Sequence, residues 1–333
     1  MSSDSEHLVT VTANGLYCPP GGFYIDPWKP VQTAVITHAH GDHLRHGSAH
    51  YIVARPGAHI AKSRLGADQE VAPVDYGARV TLGATTVSLH PAGHILGSAQ
   101  VRIEYAGQVW VVSGDYKRQE DPTCAGFEQL ECDVFVSEAT FALPVYRWPP
   151  AAQVVQEILG WWRSNRERGL ASALFCYALG KSQRVLAELS AFTGEPVYVH
   201  GAVDSLVAAY RRAGIRMLPT LSIPNDRKTD FRGALILAPP SAAGTPWMRR
   251  FGEHASGFCS GWMRVRGDRR RRGYDRGFVI SDHADWPALV RTCTATKARH
   301  ILLTHGHSDS LTRYLNENGL SSSALKTDFG AQE

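Results

Sequence analysis

The sequence predicts an α/β protein made of two units, and three observations support this fold class. Up to about residue 140, short runs of Val, Ile, Thr and aromatic residues alternate with Gly, Pro and Asp, which is typical of strands joined by turns. From Pro149, segments with helical spacing alternate with strand-like runs, which indicates a parallel sheet. A strand, a helix and a further strand follow Arg276. We therefore expect packed sheets interrupted by an inserted α/β unit.

The same patterns predict the individual elements in chain order. The strand candidates of the first segment are LVTVTA, FYIDP, TAVIT, HYIVA, RVTLGATTVSLH, AQVRIEY, QVWVVSGD and DVFVSEAT. In the middle segment we predict helices at AAQVVQEILGWWRSNRERG and SQRVLAELSAF, and strands at ALFCYAL, PVYVHG and GALILAPP. The last segment contains the strand GFVISDH, the helix DWPALVRTCTAT and the strand HILLTHG. No Ser/Gly linker separates the segments, so the middle unit is expected to be inserted rather than appended.

Composition limits the classes of protein that fit. A chain of 333 residues with 44% hydrophobic content can bury the cores of two domains. The sequence has neither a signal-peptide pattern nor the roughly 18-residue apolar run of a membrane span, so we expect a cytoplasmic protein without a membrane partner. Its six cysteines form no CxxC pair, which favours reduced thiols and argues against cysteine ligation of a metal.

The formal charge of +4 is unevenly distributed. Between Trp262 and Arg276 the chain has arginines at positions 264, 266, 269, 270, 271, 272 and 276. Such a field attracts phosphates and favours a nucleic-acid partner. A solvated loop without a specific ligand is the alternative.

A cluster of polar residues follows the predicted strand TAVIT. Within six positions the chain has His38, His40, Asp42 and His43. Imidazole nitrogen and carboxylate oxygen are the donors that zinc and manganese accept. A surface loop is the alternative, but the density of these donors predicts a metal-binding loop.

One loop cannot complete such a site, and other predicted strand ends carry the same residue types. His94 follows TTVSLH, Asp115 follows VWVV, and His305 follows HILLT. Taken alone, each of these would be read as a turn or structural residue. Together with the first loop they make five histidines and two aspartates, which is too many for one tetrahedral ion and suits two.

These motifs resemble those of a known nuclease family. HAHGDH is similar to the HxHxDH signature of the metallo-β-lactamase superfamily, and GHILGS and SGD look like its third and fourth motifs. Glu138, His283 and His305 resemble the A, B and C motifs of the β-CASP nucleases. The whole chain resembles the bacterial ligase-associated DNA exonucleases in the segments YCPPGGFYIDPW, SGDYKRQEDPTCAGFE, YALGKSQRV, LAPPS and SGWMRVR.

The resemblance implies a fold and a metal site. The fold would be a metallo-β-lactamase αββα sandwich formed by residues 1–144 and 279–333, with a β-CASP nucleic-acid-binding domain at 145–278. The cofactors would be two divalent metal ions, zinc or alternatively manganese. Their ligands would be His38, His40 and His94 for one ion, Asp42, His43 and His305 for the other, and Asp115 between them. Asp42 and Asp115 would thereby also serve catalysis.

Two further residues are implied in proton transfer. His283 would be the general acid that protonates the departing 3′ oxygen, and Glu138 would orient it. Without the resemblance, His283 would be read as a residue just before the helix that Asp285 caps, and Glu138 as a solvent-facing strand end.

The candidate nucleic-acid contacts lie on three segments. Lys181 and Ser182 begin a predicted helix after a glycine, where phosphate contact and simple helix capping remain alternatives. Ser260, Arg264 and Arg266 belong to CSGWMRVRG, and Lys117 follows the metal ligand Asp115.

The sequence thus predicts a DNA exonuclease that acts from a 5′ end in repair alongside a ligase. An RNA-processing nuclease on the same scaffold stays open, because His305 resembles the RNA-cleaving branch. A small-molecule hydrolase or a metal-free binding protein is disfavoured by the intact HxHxDH set and the basic insertion.

Overall fold

The computed structural model describes residues 7–66, 68–224, 229–265 and 273–327. The chain divides into two compact units, one from residues up to 144 and from 283 onward, the other from 145 to 282. The helices are α1 (Ala58–Leu65), α2 (Ala151–Glu167), α3 (Lys181–Leu189), α4 (Gly201–Arg212), α5 (Trp286–Ala295) and α6 (Ser308–Glu317). With the sheets below, they confirm the α/β class.

The first unit contains two sheets. The first sheet has its strands in chain order: β1 (Thr10–Thr12), β2 (Gly15–Cys18), β3 (Phe23–Ile25), β4 (Thr33–Val35), β5 (His50–Ala54) and β6 (Glu70–Val74). The second sheet contains β7 (Arg79–Leu82), β8 (Thr85–Pro91), β9 (Ala99–Tyr105), β10 (Gln108–Val112), β11 (Val134–Glu138), β18 (His300–Thr304) and β19 (Ser322–Ala324). Its order is β19-β18-β11-β10-β9-β8-β7.

Alternation along the strands explains how the layers of this unit pack. Trp110 and Val112 of β10 belong to a buried cluster that also contains Val35 of the first sheet. Val111 between them points to the other face and lies in a cluster with Leu289 of α5 and residues of α6. Because neighbouring side chains of a strand face opposite ways, one strand contributes to both cores. The two sheets therefore pack face to face, with α5 and α6 on the outer face of the second.

The second unit is built on one sheet. Its strands are β12 (Ala171–Phe175), β13 (Val197–Val199), β14 (Thr220–Ser222), β15 (Leu235–Ala238), β16 (His254–Cys259) and β17 (Arg276–Phe278). The order is β14-β13-β15-β12-β16-β17, and every one of these pairs is parallel. The alternation of helices and strands thus predicted the parallel sheet correctly. Leu174 packs with residues of α2 and α4 on one face, while Phe175 faces the other.

Three sequence predictions differ from the structure. The run RVTLGATTVSLH forms two strands, β7 and β8, joined by a two-residue turn rather than one strand. The predicted strand GFVISDH is a strand only at its first two residues, Gly277 and Phe278, which belong to β17 and pair with β16. The sequence analysis also did not predict the helices α1, α4 and α6 or the strands β2, β6, β14, β16 and β19. These strands are short or contain Gly, Pro or Ser, so they lack a clear alternation.

Among the described residues, no helix combines the length and the apolar composition that crossing a membrane requires.

Candidate active site

The candidate ligands lie where strands of the first unit end. β8, β10, β11 and β18 run in the same direction, because β9 is antiparallel to both β8 and β10 while β11 and β18 are parallel to β10. Their carboxyl ends therefore share one edge of the sheet. His94, Asp115, Glu138 and His305 lie at these ends, and the His38–His43 loop follows β4 of the other sheet.

One cluster of ligand atoms consists of His38, His40, His94 and Asp115. Nδ1 of His40 lies 3.1 Å from Nε2 of His38 and 3.0 Å from Nε2 of His94. Oδ2 of Asp115 lies 3.5 Å from Nε2 of His38 and 3.8 Å from Nε2 of His94. Around a tetrahedral zinc ion, ligand bonds of about 2 Å separate neighbouring donor atoms by ~3.3 Å. The observed spacings fit that arrangement.

A second cluster shares Asp115 and adds His43 and His305. Nε2 of His43 lies 3.4 Å from Oδ2 of Asp115 and 3.7 Å from Oδ2 of Asp42. The rings of His43 and His305 stack with their centroids 5.6 Å apart. The structure thus brings six of the seven residues that the sequence singled out as metal ligands into these two clusters, and the seventh, Asp42, lies beside His43.

The donor set of the two clusters fits divalent metal ions. All donors are imidazole nitrogens or carboxylate oxygens, as zinc and manganese prefer. Oδ1 of Asp115 is buried and has no hydrogen-bond partner among the described residues. A buried carboxylate oxygen without a partner is costly, and a cation would remove that cost. The described residues therefore include histidine and aspartate clusters able to hold metal.

His305 adopts a left-handed backbone conformation, with φ of 64°. Gly306 follows with φ of 54°, and a Cβ atom there would lie 2.3 Å from the carbonyl oxygen of Ala139. Backbone conformations that are rare for side-chain-bearing residues concentrate at functional sites, where the surrounding structure holds them. The turn after β18 therefore directs His305 toward the site at a cost in backbone strain.

Asp26, which the sequence analysis did not single out, supports two candidate ligands at once. Its Oδ2 lies 2.7 Å from Nδ1 of His43 and also accepts a hydrogen bond from the Thr37 hydroxyl. Because that hydroxyl donates to Asp26, it accepts from Nδ1 of His38, which lies 3.1 Å away. Both histidines are thus protonated on Nδ1 and direct Nε2 toward the clusters. In the sequence, Asp26 precedes Pro27 and reads as a turn residue, so no local signal indicated this role.

Replacing Asp26 by Asn should weaken zinc binding by roughly 10- to 100-fold, because the hydrogen-bond partners of ligating histidines contribute that much to metal affinity. Asn tolerates the left-handed φ of 44° at this position, so the change tests the hydrogen bonds. Isothermal titration of metal-free protein with zinc measures the effect. Asp75→Asn, which alters an exposed ion pair with Arg55, is the control. Parent-like affinity in Asp26→Asn would contradict the assigned role.

Glu138 and His283 form a buried pair next to the ligands. Nδ1 of His283 lies 2.8 Å from Oε2 of Glu138, whose Oε1 accepts a hydrogen bond of 2.6 Å from the backbone N–H of Tyr116. Donor atoms of Asp115, Glu138 and His283 lie within 4.8 Å of one another. Glu138 is only 1% exposed, so it is not a solvent-facing strand end. Asp285 caps α5 by accepting from the N–H of Ala288, as predicted.

Burial and neighbouring charges set the protonation of these groups in the metal-free protein. Burial lowers the pKa of His38 well below its usual value, and His43 lowers it further. For His43, burial acts in the same direction, but the Asp115 and Asp26 carboxylates outweigh it and raise the pKa well above the usual value. Burial alone would raise the pKa of Asp115, but His43 and His283 hold it well below its usual range. Burial raises the pKa of Glu138 against the influence of His283.

Metal-free protein should lose stability on acidification through His305, whose pKa burial lowers from 6.5 to about 4. Below pH 6.5 the unfolded chain binds a proton that folded His305 does not, so the free energy of unfolding falls as the pH drops toward 4. Between pH 7.5 and 5.5 the expected loss is about 1 kcal/mol. Urea unfolding of the parent and of His305→Asn, which suits the left-handed backbone, measures it. Equal pH dependence of the two proteins would contradict this expectation.

The predicted nucleic-acid contacts occupy different environments. Lys117 is 1% exposed, and its ammonium group pairs with Asp121. In the second unit, Lys181 is buried with its Nζ 3.7 Å from Oδ2 of Asp282, and the Ser182 hydroxyl donates to the Tyr177 carbonyl. These side chains have partners within the protein, so a phosphate contact stays a prediction for them.

The remaining candidates lie near the basic segment. Ser260 is buried and accepts a hydrogen bond from the N–H of Trp262. Arg264 is exposed, and its Nε donates to the carbonyl of Val145. Arg266 and the arginines at 269–272 lie outside the described residues. At the start of α3, Gln183 accepts from the N–H of Gly180, which satisfies one backbone donor of that helix end.

Comparisons with known proteins show sequence similarity to a probable DNA ligase and to an endoribonuclease. No family model matches it. The chain is 30% identical over 322 residues to a probable DNA ligase from Opitutus terrae. The aligned segment covers 95% of this chain and 31% of that protein. It is 28% identical over 129 residues to the endoribonuclease YSH1 of Gibberella zeae, covering 38% of this chain and 15% of that one. The chain thus spans about a third or less of the length of these relatives. Their similarity supports a relationship to the metallo-β-lactamase and β-CASP nucleases.

A solved structure resembles the fold. A crystal structure of a protein of unknown function from Enterococcus faecalis V583 superposes with a TM-score of 0.61 at 13% sequence identity. The match covers 90% of this chain and 80% of that one. At this identity the likeness concerns the fold alone.

Proposed function

We propose that this chain is a two-metal nuclease that hydrolyses phosphodiester bonds of DNA, from a 5′ end and in DNA repair. The observation that supports this most is the position of Asp115. Its carboxylate belongs to both ligand clusters and also lies within 4.8 Å of the donor atoms of Glu138 and His283. Candidate metal ligands and a candidate proton donor therefore converge on one carboxylate, an arrangement that two-metal hydrolysis of a phosphodiester would use.

In this mechanism the chain supplies two ligand sets. The first set, which would hold one ion, consists of His38, His40 and His94. The second set, which would hold the other ion, consists of Asp42, His43 and His305. Asp115 would contact both ions. When bound, a pair of divalent ions lowers the pKa of a water molecule and neutralises phosphate oxygens. Asp26 and the Thr37 hydroxyl keep the ligand nitrogens of His43 and His38 directed at the clusters.

His283 would transfer the proton that the leaving group needs. Glu138 accepts from Nδ1 of His283, which leaves Nε2 as the nitrogen that carries the transferable proton. Glu138 itself is fixed by the backbone N–H of Tyr116, so the imidazole has a defined orientation. Protonation at the departing 3′ oxygen completes the cleavage of the phosphorus–oxygen bond.

DNA is the proposed substrate because of the relative that matches nearly the whole chain. That relative is named a probable DNA ligase, and a segment similar to this chain occupies 31% of it. Hydrolysis at DNA ends prepares or removes the same ends that a ligase joins, so one polypeptide would combine two steps on one substrate. By analogy we propose that this chain acts in a ligase pathway. Its first unit would be a metallo-β-lactamase sandwich and its second a β-CASP domain that binds the strand.

RNA is the second candidate substrate. The relative named endoribonuclease YSH1 matches 129 residues of this chain, and the histidine at position 305 resembles the RNA-cleaving branch. The basic segment between Trp262 and Arg276 would attract either backbone.

A time course with end-labelled oligonucleotides separates these substrates. Matched single- and double-stranded DNA and RNA, with and without a 5′ phosphate, would be incubated with the protein and either zinc or manganese. We expect mononucleotides or short products released successively from the 5′ end of DNA, and much slower loss of RNA. Preferential cleavage of RNA would favour the second candidate, and no cleavage of either with either metal would refute a nuclease function.

A further inference from the structure

Lys117 is a buried cation outside the three groups of possible metal ligands that the described part of the chain contains. Its ammonium group pairs with the carboxylate of Asp121 and donates to the backbone carbonyl of His94, with Nζ and O 3.3 Å apart. Lys117 lies two positions after the candidate ligand Asp115, and its side chain therefore links this segment to the backbone of a second candidate ligand, His94.

The segments that carry His94 and Asp115 also contact each other through their backbones. The N–H of Lys117 donates to the carbonyl of Ala92 at 3.1 Å. Gly93 has a φ of 76°, and a Cβ atom there would lie 2.5 Å from the Lys117 carbonyl oxygen. Only a glycine permits this approach, so the turn that presents His94 is shaped around the chain at Lys117.

Asp121 is itself held rigidly. Its Oδ1 accepts from the backbone N–H of Thr123 at 2.8 Å and from the Thr123 hydroxyl at 2.6 Å. The other oxygen is thereby oriented toward Lys117. A buried ammonium group requires such a fixed counter-charge. The fixed pair therefore defines the position of the Lys117 ammonium group better than a flexible lysine side chain would.

We propose that the Lys117–Asp121 pair positions His94 relative to Asp115 and so preorganises the ligand cluster of His38, His40, His94 and Asp115. The pair contacts the His94 backbone rather than the donor atoms, so its role is positioning. The inference rests on the proposed function only in that this cluster binds metal. It assigns Lys117 a structural charge in place of the phosphate contact that its sequence position suggested.

Zinc titration of metal-free protein tests the proposal with a readout that does not depend on nuclease activity. The test variant is Lys117→Met with Asp121→Asn, which removes both charges and leaves no buried ion unpaired. The matched control is Lys297→Met with Glu131→Gln, which removes an exposed ion pair of the same unit. We expect the test variant to bind zinc about 10- to 100-fold more weakly at one site, with the other site unchanged. The cobalt absorption spectrum should change for the affected site alone.

A purely structural role predicts a different result. In that case the melting temperature of the metal-free test variant would fall, while its two zinc affinities stayed at parent values or fell equally, and the proposal would be refuted. The single variant Lys117→Met provides a second check: it should lower both the melting temperature and the same zinc affinity, and a lower melting temperature with parent-like zinc affinity would also refute the proposal.

The outcomes distinguish this proposal from the nuclease function. Parent protein that binds zinc but cleaves no nucleic acid would refute the function, while selective weakening in the test variant would still support the positioning role. Parent protein that cleaves DNA, together with unchanged zinc affinities in the test variant, would refute only the positioning role.

Discussion

Replacing Asp115 by Ala should lower the rate of phosphodiester hydrolysis by at least ~10³-fold, which corresponds to about 4 kcal/mol of transition-state stabilisation. The reason is that Oδ2 of Asp115 lies among the donors of both clusters, 3.5 Å from Nε2 of His38 and 3.4 Å from Nε2 of His43. No other residue belongs to both of the clusters found among the described residues. Its loss should also reduce the metal bound per chain.

The measurement combines initial rates on a 5′-labelled oligonucleotide with metal analysis of the dialysed protein. Asp75→Ala, which removes an exposed carboxylate of the same unit, should behave like the parent. If Asp115→Ala digested DNA as fast as the parent, the proposed mechanism would be wrong.

Replacing His283 by Ala should lower kcat by about 10²- to 10⁴-fold and leave zinc affinity close to that of the parent. We expect this separation because the role proposed for His283 is proton transfer, and because His283 belongs to neither of the two clusters proposed to hold the metal ions. A rate that needs protonated His283 falls as the pH rises, and this fall should be absent in the variant. Glu138→Gln should give a smaller decrease, because it disturbs the orientation of the imidazole without removing it.

A surface pair of the same kind provides the control for His283. His50 contacts Glu70, with Nδ1 and Oε2 2.7 Å apart, but both side chains are exposed and neither residue belongs to a ligand cluster. His50→Ala should therefore retain the parent's kcat and pH profile. Parent-like turnover in His283→Ala would remove the general-acid assignment, and loss of bound metal would reassign His283 as a ligand.

The sequence was informative about the candidate ligands because the fold repeats one arrangement, a polar residue directly after a buried strand. Each candidate ligand segment follows a strand of β-branched and apolar residues, and parallel strands bring their ends to one edge. A histidine or aspartate directly after such a strand is therefore a site candidate even when it is isolated in the sequence. His94, Asp115 and His305 were identified in this way.

The supporting residues gave no comparable signal. Asp26 occurs in a common Asp-Pro turn pattern, and its role depends on a left-handed φ and on two residues of a distant loop. Lys117 stands next to Arg118 in a polar stretch that resembles an exposed loop, but the surrounding turns bury it. Burial of a charge depends on how loops fold over each other, which neither periodicity nor spacing records.

The run GFVISDH shows another limit of prediction from the sequence. The strand pattern GFVISDH is continuous in the sequence, but its first residues pair with β16 of the parallel sheet while His283 belongs to the other unit. The neighbouring strand with which a run pairs determines which of its residues form the strand, and that neighbour is set by the tertiary fold.

The order of the site residues along the chain has a consequence for synthesis. The ribosome completes one ligand cluster once it has added Asp115, but the imidazole at 283 and the last ligand at 305 appear only after the entire inserted unit. Under the proposed function, a nascent or prematurely released polypeptide would therefore be able to take up an ion long before it acquired a proton donor, and it would not cleave nucleic acid until residues 283 and 305 had been added.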